Sequence, residues 1–379
     1  MTGSFCHLIN NLEGAPIMMP AFRSIALFCA IFLAMPALAQ DPPAVLVAPE
    51  ALRDGLRARI AAAKAEGSLS YWDAVIQPET NAELTTVFRK IYGMPESFAV
   101  KYTLSATLNL VTRVDQEVGA GNVTIDVASL ASPPWINGLV AAGHIMHYDS
   151  LEHAAFTKAF AAGVGKQGYY AFNGAYMFSP SWNADNFEFK GKSWKDVLGA
   201  VENGRMSIND AANSATALLT YMGLRTVLDL TYFQNLAKMK PNFIVRTEQM
   251  SERLVSGQDM LAFGNVTGRV YQYNQRGANL KYMLPVEGIV LMGAGSFILA
   301  KAPHPHAAKL WLDFMLSVEG QTILTKREAL ISGRAGFVSP LPEYAPSIDA
   351  LKLIPMDWSK ITPDDIRKAK AEWQSVFTP

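Results

Sequence analysis

Ser68-Leu69-Ser70-Tyr71-Trp72, a loop from Asp73 to Ile76, and then Gln77-Pro78-Glu79 form the stretch that decides the fold. The first run reads as a strand. The last opens a helix with a proline and an acid in its first turn, as helix starts prefer. Apolar residues at Leu84, Val87, Phe88 and Ile91 carry that helix to Gly93. Just upstream, residues 50–66 hold apolar positions at helical spacing with Arg and Lys between them, and Gly67 ends that helix. The strand–loop–helix unit then repeats, with a strand over Phe98–Thr103 and a helix over Ala106–Val118. Ile125-Asp126-Val127-Ala128-Ser129-Leu130 is a third strand. Strands alternating with helices predict an α/β fold with a largely parallel sheet.

Further along, Ala175–Ser179 reads as a strand ending in Pro180-Ser181-Trp182-Asn183. Gly288–Met292 and Gly295–Leu299 read as two more. Roughly a hundred residues between them carry their own strand–helix pattern, with strands at Gly204–Ile208 and Gln258–Phe263. No repeat, low-complexity tract or Gly/Ser linker separates the halves. Two domains would therefore exchange the chain more than once.

The length of 379 residues fits two domains. With 50% hydrophobic, 10% aromatic and 17% charged residues, the chain is not disordered, collagenous or a disulfide scaffold. Lys+Arg and Asp+Glu both number 33, so no basic excess collects phosphates and nucleic acid is not an expected partner. Arg23, the apolar run Ser24–Met35 and Ala37-Leu38-Ala39 have the parts of a secretory signal peptide over residues 1–39, cleaved after Ala39. The alternative is a membrane anchor, for which the apolar run is short. Met18 or Met19 is a plausible initiator. Both cysteines, Cys6 and Cys29, precede the cut, so the exported chain has no disulfide, thiolate metal site or Cys nucleophile. The bulky Leu27-Phe28 before Cys29 disfavours lipid attachment there. Residues 40–50 read as a loose leader. These features predict a soluble, periplasmic, monomeric protein.

Several stretches resemble the extracellular solute-binding proteins of ABC importers, in particular the ferric-iron-binding-protein-like branch. Asp126-Val127-Ala128-Ser129 is similar to the family's aspartate-valine strand end, and Arg113 through Glu117-Val118-Gly119-Ala120-Gly121 to the helix before it. Gly143-His144-Ile145-Met146-His147-Tyr148, Ser256-Gly257-Gln258-Asp259 and Pro285-Val286-Glu287-Gly288 follow in the family's order. The most specific stretch is Ala302-Pro303-His304-Pro305-His306-Ala307-Ala308-Lys309, continuing to Phe314 and Ser317-Val318-Glu319-Gly320-Gln321. The resemblance implies a two-lobed, type II periplasmic-binding-protein fold with a central mixed sheet in each lobe and two crossover hinge strands, Tyr176–Asn183 and Val286–Met292. Lobe one would comprise 69–178 and 289–335, lobe two 179–288, with C-terminal helices over 336–379 packed on lobe two. The implied partners are a small-molecule solute held between the lobes and a membrane permease that receives it.

Candidate ligand-facing residues follow from this fold, each beside a structural alternative. Trp72 and Asp73 offer a flat wall and a carboxylate, or else a core residue and a helix cap. Ser105 and Thr107 head the second helix, where free N–H groups bind anions, unless Ser105 is only its N-cap. Ser129, Ser132 and Trp135 surround the stiff Pro133-Pro134 loop. Ser214 and Thr216 lie in a run of small residues before an apolar helix, which is otherwise an ordinary capped start. Trp182 and Asn183 sit at the first crossover and Glu287 at the second. Trp72, Trp135 and Trp182 together suggest an aromatic-walled pocket, although aromatic residues also populate cores.

The departure from the branch lies at Gly264-Asn265-Val266-Thr267-Gly268-Arg269. Ferric-binding members carry an adjacent tyrosine pair there, and this chain has none. Tyr169-Tyr170 lies elsewhere, and Tyr271 and Tyr273 alternate. Asn265, Thr267 and Arg269 suit an oxygen-rich organic solute or oxyanion better than Fe(III), though a surface salt bridge also accounts for Arg269. His144 and His147, and His304 and His306 around Pro305, have no carboxylate cluster at metal-ligand spacing, so neither a metal nor a cofactor is expected. The rival reading, an exported hydrolase, finds no Gly-x-Ser-x-Gly, HExxH or Cys nucleophile.

Overall fold

The computed structural model describes residues 40–161 and 165–377. The expected export segment lies outside them. Among the described residues, no helix is long and apolar enough to cross a membrane. Residues 40–50 are not a loose leader. They form α1 (Pro43–Val47), which buries Val45 completely.

The first layer follows the sequence pattern closely: α2 (Glu50–Glu66), β1 (Ser68–Asp73), α3 (Pro78–Tyr92), β2 (Ala99–Leu104), α4 (Thr107–Ala120), β3 (Val127–Leu130) and α5 (Pro133–Ala141). Gly67 and Gly93 end their helices in the left-handed conformation, at φ 73° and 59°, which an L side chain rarely adopts. After α6 (Thr157–Ala161) and β4 (Gly165–Lys166) comes β5 (Tyr170–Asn183), fourteen residues long and buried throughout. The second layer is β6 (Met206–Asn209), α7 (Ala215–Leu224), α8 (Leu230–Lys238), β7 (Asn242–Ile244), α9 (Thr247–Val255), β8 (Leu261–Val266), α10 (Thr267–Asn274) and β9 (Leu280–Tyr282). β10 (Leu291–Ile298), α11 (Pro305–Leu316), α12 (Val318–Glu328) and α13 (Pro363–Phe377) complete the chain.

The sheet path is β2-β1-β3-β10-β5-β8-β6-β7, with β4 and β9 also on β5. β1, β2 and β3 are parallel, as are β6, β7 and β8, while β10 runs antiparallel to β3 and β5. The architecture is therefore α/β with a mixed sheet. The two strands expected at Gly288–Met292 and Gly295–Leu299 are one strand, β10, with a register shift at Ala294/Gly295. Gly293 is not a breaker there. A Cβ on it would sit 1.6 Å from the Phe172 ring, so the glycine admits that ring into the sheet face. β8 begins three residues later than expected because Asp259 turns inward. Its carboxylate accepts from Arg253 at 2.6 and 2.9 Å and from Asn242 at 2.8 Å, which closes the turn before the strand. At the C-terminus, α13 packs on α7 and α8 through Trp373 against Tyr221, ring centroids 5.1 Å apart.

α11 is fastened to α2 by a buried carboxylate. Asp313 accepts from Ser150 and Tyr148, both at 2.6 Å, and faces Arg59 at 3.2 Å. Burial raises its pKa to about 6, against about 3.9 in an unfolded chain. Between those values the folded protein holds more protons than the unfolded one. This group's contribution to stability is then present at low pH and is lost as pH rises through 6. Relative to Asp313→Asn, the wild type should gain stability as pH falls from 7.5 to 4.5, by up to about 1.4 kcal/mol per pH unit. Parallel melting curves for the two proteins would show that Asp313 does not titrate in that window.

Candidate functional site

A cavity of about 210 Å³ opens where the two parts of the sheet meet at β5. Tyr176 and Phe178, two residues apart and so on one face of β5, form its floor. From the β1–β3 side come Ala74 and Val75, the start of α4 at Ala106 and Thr107, and the end of α12 at Glu328 and Leu330. From the β6–β8 side come Asn209, the start of α7 at Ser214 and Thr216, the start of α9 at Val245–Glu248, and the start of α10 at Val266, Gly268 and Arg269.

Four helices thus begin at one cavity. Only Ser214 caps its helix with a side chain, accepting from Ala217 N at 3.3 Å. The N-cap residues of α4, α9 and α10 are Ala106, Arg246 and Val266, and none gives a side-chain cap bond. The first N–H groups of a helix have no partner within it. Left uncapped, they present donors and the positive ends of the helix dipoles to whatever occupies the cavity. Two arginines add full charges. Arg269 lies 2.8 Å from Glu248, donates to Gln272 at 2.6 Å and keeps its Nε buried without a partner. Arg246 stands at the rim.

Four of the residues singled out from the sequence, Thr107, Ser214, Thr216 and Arg269, come together on this cavity. The others are placed behind or beyond it. Asp73 is fully buried and accepts from Val75 N, Ile76 N and the Tyr71 hydroxyl at 2.5–2.6 Å, so it shapes the Ala74–Val75 wall from behind. Burial holds it at about 6. Ser105 continues the backbone through a bond to Asp73 O at 2.9 Å. Ser129 pairs with Ser296 inside the sheet at 2.6 Å, and Ser132 precedes α5. Asn265 turns to Ser251, Thr267 is buried away from the cavity, and Asn183 contacts Leu254 O. Glu287 holds the Ser193–Trp194 turn.

None of the three tryptophans lines the cavity. Trp182 is buried against Phe189 at 5.6 Å, Trp135 donates to Asp115 at 3.1 Å, and the Arg113 guanidinium covers Trp72 at 5.8 Å. The aromatic wall is Tyr176 and Phe178 instead, with ring centroids 5.7 Å apart. Burial pushes the Tyr176 phenol up, opposed by Thr216 and Arg269. His304 is engaged by Asp126, whose carboxylate also accepts from Ser70 N at 2.7 Å. Among the described residues, no group of three His, Cys, Asp or Glu is placed to hold a metal.

Residues 83–349, well over half of the chain, match the family described as bacterial extracellular solute-binding protein. The chain belongs to that family. An uncharacterised protein of Haemophilus influenzae is 28% identical over 191 residues, and this match spans 48% of the chain and about half, 53%, of that relative. The extracellular solute-binding fold is also that of solved structures. The substrate-binding protein of an ABC transporter from Agrobacterium tumefaciens superposes with a TM-score of 0.71 at 15% identity, covering 82% of this chain and 94% of that one. The fructose-6-phosphate-bound periplasmic binding protein AfuA of Actinobacillus pleuropneumoniae gives 0.69 at 17% identity, covering 82% and 98%. Iron-bound HitA of Pseudomonas aeruginosa gives 0.64 at 18%, covering 82% and 99%. The two-lobed fold expected from the sequence is the one found.

Gly268 sets the position of α10 in this solute-binding fold. A Cβ there would lie 2.6 Å from the Glu328 carbonyl oxygen, a backbone atom that cannot swing aside. Gly268→Ala should therefore lower stability by about 1–3 kcal/mol through overpacking, although alanine is the better helix former. Denaturant titration checks this, and a stabilised variant would mean that α10 and α12 separate freely.

Proposed function

We propose that this chain is the periplasmic solute-binding component of an ABC importer, not an enzyme, and that it delivers a small oxygen-rich or anionic solute to a membrane permease. The observation that carries this is the convergence of four helix starts, three of them uncapped, with two arginines on one cavity at the junction of the sheet. Donors in that arrangement bind and orient oxygen atoms, and none of the lining groups is a nucleophile paired with a base. On this reading Tyr176–Asn183 of β5 and the Val286–Met292 passage are the hinge, with lobe one at 69–178 and 289–335 and lobe two at 179–288. The family and the structural neighbours support the reading, and the N-terminal Ala37-Leu38-Ala39 supports export.

Ferric iron is not the proposed cargo. Fe(III) needs anionic oxygen donors. The lining offers two carboxylates, both already bonded, and a phenol that burial holds protonated. Addition of ferric citrate to the purified protein should produce no phenolate-to-iron charge-transfer band. A stoichiometric coloured complex that survives a competing chelator would reverse this conclusion.

A thermal-shift screen over organic acids, sulfonates, phosphate esters, polyamines and sugars tests the reading itself. A solute at a hundred times its Kd adds about 2.7 kcal/mol of stability, and closure about β5 should reduce the radius of gyration in X-ray scattering. Arg269→Ala should abolish that shift for the solute found. Turnover of a screened compound, or a tight solute that leaves scattering unchanged, would remove the closing-cleft mechanism.

A further inference from the structure

One carboxylate stands between the two arginines of the cleft. Glu248 Oε1 lies 2.8 Å from Arg269 Nη2, and its Oε2 lies 3.8 Å from Arg246 Nε. All three residues line the cavity. Arg246 is 73% exposed and Arg269 17%, so the buried arginine is the one that Glu248 neutralises at short range. A second lining carboxylate, Glu328, sits on the opposite wall with its donors already supplied. Gln77 N, the Thr80 hydroxyl and Gln272 Nε2 reach it at 2.8, 2.6 and 3.0 Å. Buried Asp73 lies behind the same wall.

The formal charges of the lining therefore cancel: two arginines against two glutamates. The positive potential that remains comes from the uncapped starts of α4, α9 and α10, each worth a fraction of a charge. One negative charge on a solute is matched by that excess. A second would meet Glu248 and Glu328 across a partly dry cavity, where like charges repel strongly.

We propose that Glu248 sets the charge of the solute, so that the cleft takes a singly charged oxyanion of the carboxylate or sulfonate class and rejects doubly charged phosphate esters. This rests on the reading of the cleft as the solute site. Glu248 acts by cancelling the charge of Arg269, not by bonding the solute. Removing its charge should turn the same donors toward dianions.

The test compares wild type, Glu248→Gln and Glu248→Asp by calorimetry at pH 8, where phosphate monoesters carry two charges. The probes are three- to six-carbon acids, each monocarboxylate or sulfonate matched with the dicarboxylate and phosphate monoester of the same chain length. A second panel holds sugars and polyamines. The wild type should bind a monoanion best. In Glu248→Gln the ratio of dianion to monoanion affinity should rise roughly tenfold or more, the scale of one nearby charge in a partly wet site. Glu248→Asp should keep the wild-type ratio. A wild type that prefers dianions, or an unchanged ratio in Glu248→Gln, overturns the role of Glu248. Binding only of sugars or polyamines overturns it too but leaves solute binding intact, whereas no binding from either panel overturns both.

Discussion

β5 stays in the sheet for fourteen residues while its partners change. It pairs with β10 up to Met177, then with β8 and β9 from Phe178 onward. Pro180 lies just beyond the handover, inside the pairing with β8. It has no N–H to donate, so the ladder slips there, from Ser179 opposite Asn265 to Ser181 opposite Ala262. Because one strand serves both sides, neither side can be placed without the other. Tyr176 and Phe178 straddle the change of partner and become the cavity floor. The site exists because the strand is continuous and its neighbours are not.

Several helix starts away from the cleft are satisfied by side chains, although those of α1, α2 and α5 also lack a side-chain cap. Glu66 accepts from His306 N and Ala307 N at the start of α11, at 3.1 and 2.7 Å, and Glu328 accepts from Gln77 N at the start of α3. Asp229 caps α8 and Ser317 caps α12. At the cleft, Ala106, Arg246 and Val266 occupy the cap positions instead. A cap is worth about 1 kcal/mol, so three are forgone around one cavity. What sets α4, α9 and α10 apart from the uncapped starts elsewhere is that all three open on one cavity, where their first N–H groups face its contents.

Much of the architecture was legible in the sequence because it rests on local signals. Pro78 and Glu79 announce α3, Gly67 and Gly93 end their helices, and the Ser68–Trp72 run stands out as a strand. Where glycine served as punctuation the reading split β10, since only the packing of Phe172 shows why Gly293 lies inside a strand. In the site, Thr107, Ser214 and Thr216 were legible as small polar residues at helix starts, and Arg269 as a forked donor in the run that departs from the tyrosine pair of the ferric-binding branch. Arg246, Thr247 and Glu248 carried a usable signal, an acid in the first turn of a helix. Tyr176 and Phe178 share a strand face, but burial on both sides of β5 hides its alternation. Glu328 had none, because its partners Gln77 and Thr80 lie 251 and 248 residues away.

The amide of Gln272 joins the two sides of the cavity. Its Oε1 accepts from Arg269 at 2.6 Å, and its Nε2 donates to Glu328 at 3.0 Å. Glu328 in turn holds the start of α3 through Gln77 N and Thr80. The Glu328 carbonyl also bears on Gly268, one residue before Arg269. The charged group most able to meet a solute is therefore fixed by the wall opposite its own helix. A rotation of α10 away from α12 would break the Gln272–Glu328 bond and free the Gln272 amide to turn, while the Arg269–Gln272 bond lies within α10 and travels with it. The orientation of that one amide therefore links the setting of Arg269 to the separation of the two sides, so a ligand that favours one setting of the arginine would bias the opening between them.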